Sequence, residues 1–419
     1  MSPPQYLELR TNPQRDETTS RRLASALGAL YARVPLGMRL GLEPMRDACA
    51  RAGHPERAFE CVHITGTNGK GSTCAMVESM ARAARRKTGL YTSPHLVRFA
   101  ERVRVDGAAL NDAALAEVLE QALELGPDLS FFETATLAAF LAFRAAKVDV
   151  AVVEVGIGGR LDATNVIPAP TVTAITSVGL DHQDKLGDTL DAIAREKAAI
   201  AKPNVPMVLG RLDPIARVAA VDVAVANGAR ILDAGVLPPE VAVGLVGAHQ
   251  RENARVAWTI GGVLGLHDDE SARGLSEVRW PGRLERIEVG YGDFAGKWVL
   301  DGAHNPDGVR ALVAALAREE VGAVVFGALA EKAWREMLGI LKAVDVPRFY
   351  VAPEGREPAE PAELATLAPG AVVPSLVDAL VAARSVARRS PVLVCGSLYL
   401  VGEARARLLR LQPDPIVAL

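Results

Sequence analysis

Short, nearly continuous apolar segments alternate along the chain with longer segments in which apolar residues recur every three or four positions. The run Asp149–Val155 (DVAVVEV) is apolar at almost every position, which is typical of a strand covered on both faces. In Ser72–Arg86, by contrast, Val77, Met80 and Ala84 fall on one helical face. Strands that alternate with helices in this way predict an α/β fold, with a parallel sheet covered by helices on both faces.

The same pattern assigns elements to two successive halves of the chain. In the first half the predicted strands are Cys61–Thr65, Val150–Val155, Thr171–Ser177 and Val205–Leu209. The predicted helices of that half are Ser72–Arg86, Asp112–Leu125, Glu133–Ala146 and Leu190–Ala201. In the second half the predicted strands are Glu285–Val289, Lys297–Leu300, Ala323–Phe326, Arg348–Val351 and Val392–Cys395, and the clearest helix is Pro306–Arg318.

A change in composition separates the two halves. The stretch Gly261–Glu270 is rich in Gly, His and Asp, and Ser276–Arg283 (SEVRWPGR) follows it before the strand pattern restarts. We predict an N-terminal domain over residues 1–278, built on a P-loop-type parallel sheet, and a smaller Rossmann-like α/β domain over residues 284–419. A linker at about 276–283 would join them, and the second domain has an ordinary size.

Composition excludes several classes of protein. The formal net charge of −3 over 419 residues argues against a nucleic-acid binder dominated by phosphate contacts. The cysteines lie far apart and form no zinc or disulfide pattern. The N-terminus MSPPQYLELR lacks the regions of a signal peptide, and no apolar run approaches the ~20 residues of a membrane span. We therefore expect a cytoplasmic monomer whose partners are small molecules, with no nucleic-acid or membrane partner.

The stretch HITGTNGKGSTCA (His63–Ala75) has the strand–loop–helix context of a phosphate-binding loop. Its glycines let backbone N–H groups converge on an anion, and the following helix directs its positive dipole end at the same point. Lys70 is placed to contact terminal phosphates, and Ser72 to bind Mg²⁺ or to cap the helix. The loop departs from the usual Gly-Lys-Ser/Thr pattern because Gly71 separates Lys70 from Ser72. A plain glycine-rich turn with an N-cap serine is the alternative interpretation.

The segment GTNGKGS resembles the variant phosphate loop of the Mur ligase superfamily and, within it, that of the folylpolyglutamate synthase/dihydrofolate synthase family. Other segments resemble that family in order and spacing: LGLE (Leu40–Glu43), TSPHL (Thr92–Leu96), EVGIGGRLDATN (Glu154–Asn165), GLDH (Gly179–His182), REKAAI (Arg195–Ile200), HQRENA (His249–Ala254), PGR (Pro281–Arg283), DGAHNP (Asp301–Pro306) and CGSLY (Cys395–Tyr399). The resemblance implies an ATP-dependent amide ligase that adds L-glutamate to folates through an acyl phosphate. The LGLE segment fits a second, dihydrofolate synthase activity on dihydropteroate.

Two residues at predicted strand ends are candidate metal ligands. Glu154 ends a buried strand before a glycine loop, at the edge of an open α/β sheet where ligands bind, and Mg²⁺ prefers oxygen ligands. The resemblance implies that His182 and Ser72 bind the same Mg²⁺, with K⁺ as a further candidate ion. The alternatives are a capping or paired glutamate and a polar surface histidine. The segment after Glu154 is no dinucleotide fingerprint, because Leu161 stands where the G-x-G-x-x-G pattern requires glycine.

The resemblance also implies that Lys197 carries a carbamate, which would convert a cation into an anion able to hold a metal ion. This modification requires a neutral amine, and hence a pKa lowered from the ordinary value of ~10.4 by burial or nearby cations. The alternative is a surface lysine on an amphipathic helix, beside Glu196.

The remaining site residues are also assigned by the resemblance. The expected catalytic residues are Lys70, Lys197 and His304. The expected ATP contacts are Thr67, Asn68, Gly69, Lys70, Gly71, Ser72, Asn253 (adenine), Arg283 (phosphates) and Asp301 (ribose or phosphate). The expected folate and glutamate contacts are Thr92, Ser93, Pro94, His95 and Ser397. A salt bridge in the linker is the alternative for Arg283, and a turn before Gly302 is the alternative for Asp301.

Other functions compete with this one. The chain could extend folates without acting on dihydropteroate, or it could be a Mur-type peptide ligase of cell-wall synthesis. Those ligases carry an extra domain before the loop, whereas some 65 residues precede Gly66. A nucleotide-binding regulatory protein with an inactive site is the third alternative. Gln250 and Ala199 replace residues common in the family, and we expect neither to touch a group with a chemical role.

Overall fold

The computed structural model describes residues 17–36, 41–317 and 320–414. The N-terminal ten residues, Leu40 of the LGLE segment and Arg318 of a predicted helix lie outside these ranges. The strands are β1 Glu60–Thr65, β2 Thr88–Tyr91, β3 Val103–Val105, β4 Ala108–Ala109, β5 Val150–Glu154, β6 Val172–Ile175, β7 Pro206–Leu209, β8 Arg230–Asp233, β9 Glu285–Val289, β10 Gly296–Asp301, β11 Ala323–Phe326, β12 Arg348–Tyr350, β13 Ala371–Val372 and β14 Val392–Cys395. The α-helices are α1 Glu17–Tyr31, α2 Glu43–Arg51, α3 Lys70–Ala83, α4 Asp112–Leu125, α5 Phe131–Ala146, α6 Gln183–Leu186, α7 Leu190–Ala198, α8 Pro214–Ala226, α9 Ala248–Val263, α10 Asp268–Glu277, α11 Pro306–Leu316, α12 Trp334–Leu341, α13 Pro361–Leu367, α14 Leu376–Ala387 and α15 Leu398–Leu408.

Among the described residues the first sheet has eight strands in the order β4-β3-β2-β5-β1-β6-β7-β8. The strands from β2 to β8 in that order pair in parallel, and β3 and β4 extend one edge in antiparallel pairing. The register sets Ile64 beside Glu154 and Thr65 beside Ile175, so the carboxyl ends of β5, β1 and β6 finish together. The predicted parallel sheet is confirmed, and this shared edge positions the candidate site.

Apolar side chains fill both faces of this sheet. On one face Val62 and Ile64 belong to a buried cluster formed with α3, α9 and α10. On the other face Cys61, Ala151 and Val153 belong to a cluster formed with α1, α4 and α5. Successive residues of a strand point to opposite faces, so a strand covered on both sides must be apolar throughout. The predicted helices on both faces are confirmed.

The second sheet has the order β13-β12-β11-β14-β10-β9 and is parallel except for β9 at its edge. Trp298 lies in the buried cluster formed with α14 and α15 on one face. Phe326 and Tyr350 lie in the cluster formed with α11, α12 and α13 on the other. The chain therefore contains the second, smaller α/β unit that the sequence predicts.

The helices α9 and α10 pack on α3 before the chain enters the second sheet. A Cβ on Gly274 would lie 2.4 Å from the Met80 Cα, so this glycine allows α10 to approach α3 closely. The predicted linker overlaps α10, because Ser276 and Glu277 form its last turn, and residues 278–284 then lead to β9. In the described part of the chain no helix combines the length and apolar character needed to cross a membrane.

Candidate functional site

The glycine-rich loop follows β1 directly, and α3 begins at Lys70, two residues earlier than predicted. Gly69, the N-cap of α3, has a φ of +86°, a conformation that favours glycine. The Lys70 Nζ donates hydrogen bonds to the carbonyl oxygens of Gly66 at 2.9 Å and Thr67 at 3.2 Å. The ammonium group is thereby held at the loop, beside the N-terminus of α3 where an anion would bind.

The additional glycine of the loop has a structural reason. A Cβ on Gly71 would lie 3.2 Å from the Nε1 atom of Trp280, in the segment that joins the two sheets. The Trp280 ring in turn packs against the Arg104 guanidinium, whose Cζ lies 4.9 Å from the ring centroid. Gly71 therefore permits close contact between α3 and this indole.

The helix α9 brings two amide side chains to the phosphate loop. The Gln250 Nε2 donates to the Ser72 Oγ at 3.3 Å, and the Asn253 Nδ2 donates to the Gln250 Oε1 at 3.0 Å. The sequence expectation for Gln250 is therefore wrong, because Gln250 contacts a predicted metal ligand. Asn253 also lies against the loop, since a Cβ on Gly69 would come within 2.2 Å of its Oδ1 atom.

We expect Gly69→Ala to weaken nucleotide binding by at least about tenfold. The added methyl would clash with the Asn253 amide, and alanine is strained at positive φ. Isothermal titration with ADP measures this effect. Gly262→Ala on α9 is the matched control, because nothing lies within 4 Å of the added Cβ. Equal ADP affinity in the two variants would show that the backbone of this loop does not determine nucleotide binding.

Glu154 lies at the carboxyl end of β5, and its side chain is buried. One carboxylate oxygen accepts a hydrogen bond from the Ser93 N–H at 3.1 Å. Burial raises the pKa of Glu154, although Lys70 and the Ser93 N–H act in the opposite direction. A buried carboxylate is costly unless a cation or hydrogen-bond donors compensate its charge, so this site is suited to a metal ion.

His182 is the N-cap of α6 and has a left-handed conformation with φ of 52°. Burial, followed by the positive charge of Lys332, lowers the pKa of His182 to about 4. The imidazole is therefore neutral at physiological pH, as a metal ligand must be. Within the described ranges no group of three or more His, Cys, Asp or Glu side chains could hold a metal ion by itself. A set of Glu154, His182 and the Ser72 hydroxyl fits a hard cation that completes its coordination with phosphate oxygens and water.

Lys197 lies on α7 and is only 4% exposed, so the alternative of a surface lysine is wrong. Burial, followed by the charge of Lys70, lowers the pKa of Lys197 to about 7. At neutral pH a large fraction of the Lys197 amine is thus uncharged, which is the state that reacts with carbon dioxide. A charged lysine is rarely buried, because its removal from water costs free energy. The burial of Lys197 therefore indicates that its amine has a chemical role.

Arg283, Asp301 and His304, from the second half of the chain, line the same cavity as the phosphate loop. The Asp301 carboxylate accepts hydrogen bonds from the N–H groups of Leu284 and Ala303, both at 2.9 Å. Asp301 therefore shapes the turn before Gly302, and burial raises its pKa despite the nearby Arg283. The Asp301 carboxylate therefore has the turn-forming contacts of the alternative interpretation, and its nucleotide contact stays a prediction.

The His304 ring is oriented by its own loop. Its Nδ1 lies 2.8 Å from the Gly302 carbonyl oxygen and donates to it, which leaves Nε2 as the acceptor. Burial, followed by the charge of Lys332, lowers the pKa of His304 to about 4. A neutral His304 can therefore accept a proton at Nε2.

One cavity of about 440 Å³ collects nearly all the predicted site residues from both halves of the chain. Among those lining it are Thr67, Asn68, Gly69, Lys70, Gly71, Ser72, Thr92, Ser93, Pro94, His95, Glu154, His182, Lys197, Asn253, Arg283, Asp301 and His304. Ser397 does not line this cavity. Residues from both halves of the chain therefore line one cavity.

A second cavity of about 900 Å³ adjoins the first, and Ser397 lines it. The two cavities share Ser93, Pro94, His182 and His304. The walls of the larger cavity also include the aromatic rings of Phe131, Phe132 and Tyr399 and the polar side chains of Arg102, Glu133 and Asp162. A largely preformed cavity of this size, with aromatic walls and a few polar groups, suits a flat heterocyclic ligand.

Several residues of these cavities have no recognisable sequence signal. The Arg102 side chain is 2% exposed, its Nε donates to the His95 Nδ1 at 2.9 Å, and it packs over Phe131. Arg102 lies in no recognisable motif, and its neighbours Glu101 and Arg104 are also charged, so no sequence signal marks it. Lys332 and Asp181 are not among the predicted site residues, and their Nζ and Oδ1 atoms lie 2.7 Å apart. Burial would raise the pKa of Asp181, but Lys332 and two histidines outweigh it and lower that pKa.

The chain matches two family models, the Mur ligase middle domain over residues 64–230 and the Mur ligase glutamate ligase domain over residues 282–398. The dihydrofolate synthase/folylpolyglutamate synthase of Bacillus subtilis is 32% identical, and the match covers 90% of this chain and 97% of the relative.

Solved structures agree with these matches. E. coli FolC in complex with DHPP and ADP has 32% sequence identity and a TM-score of 0.82, covering 92% of this chain and 97% of that one. A bifunctional folylpolyglutamate synthase/dihydrofolate synthase with Mn, AMPPNP and L-glutamate bound has 31% identity and a TM-score of 0.82, covering 92% and 98%. The chain belongs to the folylpolyglutamate synthase/dihydrofolate synthase family of the Mur ligases.

Proposed function

We propose that this chain is an ATP-dependent ligase that adds L-glutamate to folates and also to dihydropteroate. ATP transfers its γ-phosphoryl group to a carboxylate of the acceptor, and the glutamate amine then displaces phosphate to form an amide. The observation that carries this proposal is the junction of the two cavities. A phosphate loop, a buried carboxylate and a neutral histidine meet there beside a larger aromatic cavity.

The smaller cavity is proposed to hold ATP. Backbone N–H groups of the loop and the Lys70 ammonium would hold the phosphates, which positions the γ-phosphoryl group and neutralises its charge. Asn253 is proposed to contact the adenine, Arg283 the phosphates, and Asp301 the ribose or phosphate region. The Arg283 guanidinium lines this cavity and donates to the Gly282 carbonyl oxygen at 3.1 Å, and its remaining N–H groups are proposed to bind a phosphate.

Mg²⁺ is the proposed ion, held by Ser72, Glu154 and His182, and K⁺ is a further candidate. The role of the Mg²⁺ ion would be to neutralise charge on the phosphate oxygens. Lys197 is proposed to carry a carbamate at the same cavity. The burial and the lowered pKa of Lys197 support this modification, because both favour the neutral amine.

The larger cavity is proposed to hold the pterin part of the acceptor, with its carboxylate directed toward the phosphate loop. Thr92, Ser93, Pro94 and His95 would line the acceptor's path, and Ser397 would contact the incoming glutamate. The neutral His304 would lie between nucleotide and glutamate, where its Nε2 can accept a proton from the attacking amine.

The domain boundary at about 276–283 is part of this proposal, because closure of two domains would exclude water from an acyl phosphate. The monomeric state and the cytoplasmic location also remain predictions from the sequence.

We expect the protein to release ADP when it is given Mg²⁺-ATP, L-glutamate and either dihydropteroate or a tetrahydrofolate. The two acceptors should be assayed separately, each with controls that lack glutamate or lack the acceptor. Turnover with the tetrahydrofolate but not with dihydropteroate would show that the protein extends folates and lacks dihydrofolate synthase activity. No turnover with either acceptor, in protein that still binds ATP, would contradict the proposal and favour a regulatory nucleotide-binding protein.

A further inference from the structure

Asp181 lies at the contact between the two halves of the chain, and the proposed reaction assigns it no part. Its carboxyl group is 8% exposed and follows β6, immediately before the candidate metal ligand His182. The two carboxylate oxygens have different partners. Oδ1 faces Lys332, and Oδ2 faces Asn305, both from the second half of the chain.

Lys332 reaches Asp181 across this contact. Its Nζ lies 2.7 Å from the Asp181 Oδ1, and its side chain is only 11% exposed. The hydrogen bond of the Lys332 backbone N–H to the Leu329 carbonyl at 3.1 Å fixes the loop that precedes α12. A buried ion pair of this kind leaves an uncompensated charge when one partner is removed, so its loss has a large effect on the geometry around it.

The same Asp181 oxygen holds the backbone of the candidate metal ligand. The His182 N–H donates to the Asp181 Oδ1 at 2.9 Å. His182 has a φ of 52°, which is unfavourable for a residue with a side chain and persists only where its surroundings hold it. The Asp181 carboxylate thus connects the Lys332 ammonium to the backbone conformation that directs the His182 ring.

Asn305 extends this network to the phosphate loop. Its Nδ2 donates to the Asp181 Oδ2 at 3.2 Å and to the Asn68 Oδ1 at 2.9 Å. The Asn68 Nδ2 donates in return to the Asn305 Oδ1 at 3.3 Å. Asn68, Asp181, Asn305 and Lys332, which we name the interdomain clasp, therefore touch both the phosphate loop and the His182 backbone.

We propose that Lys332 is a positioning residue of the ligase: by holding Asp181 across the interdomain clasp, it sets His182 in place for the metal ion only when the two halves are together. This inference rests on the proposed function and adds a coupling between closure and metal binding. Lys332 acts through Asp181 and does not itself touch the metal ion. Removal of the second half from the contact would release His182 from its left-handed conformation.

The first test measures Mn²⁺ binding by electron paramagnetic resonance in full-length protein saturated with AMPPNP. We expect Lys332→Met to weaken Mn²⁺ binding by at least about tenfold, whereas Lys332→Arg retains it within about threefold. Lys342→Met is the matched control, since Lys342 is an exposed lysine at the C-terminal end of α12. Unchanged Mn²⁺ affinity in folded Lys332→Met would overturn the proposal.

The second test separates positioning from direct substrate contact. Asp181→Asn should weaken Mn²⁺ binding about as much as Lys332→Met, and the double variant should lose little more, because the two residues act through one contact. In turnover, kcat should fall while the KM for ATP changes by less than about threefold. A raised KM for glutamate with normal Mn²⁺ affinity would instead make Lys332 a glutamate-binding residue and contradict the proposal. Since Mn²⁺ and AMPPNP binding require no acceptor, these results are independent of whether the proposed turnover is observed.

Discussion

We expect glutamine in place of Glu154 to lower the kcat for ADP release by at least about 100-fold, the scale seen when a charge-stabilising group is lost at a reacting centre. The substitution keeps the shape of the side chain and removes its negative charge. Glu154 is buried, and Lys70, Arg283 and Arg102 all favour its charged form. A neutral amide cannot balance a divalent cation there, so Mn²⁺ affinity should fall together with kcat.

The control for Glu154→Gln is Glu60→Gln. Glu60 lies at the opposite end of the neighbouring strand β1, half-exposed and paired with Arg86 at 2.7 Å. An exposed pair of this kind contributes little to stability, so turnover in Glu60→Gln should match the unsubstituted protein. Near-normal kcat in a folded Glu154→Gln variant would remove Glu154 from the proposed metal site. His182→Ala is expected to lower kcat on the same scale.

The central strands could be predicted because they are covered on both faces. The run that forms β5 is apolar from Val150 to Val153, before Glu154 at its carboxyl end, and its length is typical of a strand. The edge strand β4, by contrast, has only Ala108 and Ala109, both exposed. Such a short exposed segment has no apolar pattern, and its conformation is determined by pairing with β3. Sequence periodicity therefore predicts the buried centre of each sheet better than its edges.

The candidate site was predictable where a motif fixes both the residue type and its place at a strand end. This holds for the phosphate loop after β1 and for Glu154 at the end of β5. Contacts between distant segments were not predictable. Gln250 contacts Ser72 across 178 residues of sequence, and Lys332 contacts Asp181 across 151. No local sequence pattern indicates which helix or loop will pack at such a contact. The contacts of Gln250 and Lys332 can therefore be seen only in the folded structure.

Replacing Lys197 with arginine should lower kcat by at least about 100-fold. The Lys197 pKa of about 7 leaves about half of the amines neutral at pH 7, against about one in 2500 for an ordinary lysine. Only the neutral amine adds carbon dioxide: its nitrogen forms a bond to the carbon and releases one proton, which leaves a carbamate. An arginine at this position stays protonated and forms no carbamate. Lys147→Arg, at an exposed lysine after α5, is the control and should leave kcat unchanged.

Carbon-13 resonance of protein equilibrated with labelled bicarbonate tests the modification separately from turnover. We expect one carbamate signal that Lys197→Arg abolishes and Lys147→Arg retains. In metal-free protein the signal should grow as pH rises from 6 to 8, because the neutral fraction of the amine increases through its pKa of about 7. A Lys197→Arg variant with normal turnover would show that neither the carbamate nor the amine takes part in the reaction. Loss of turnover without any carbamate signal in the unsubstituted protein would mean that Lys197 acts as a buried amine, whose low pKa would then serve proton transfer rather than metal binding.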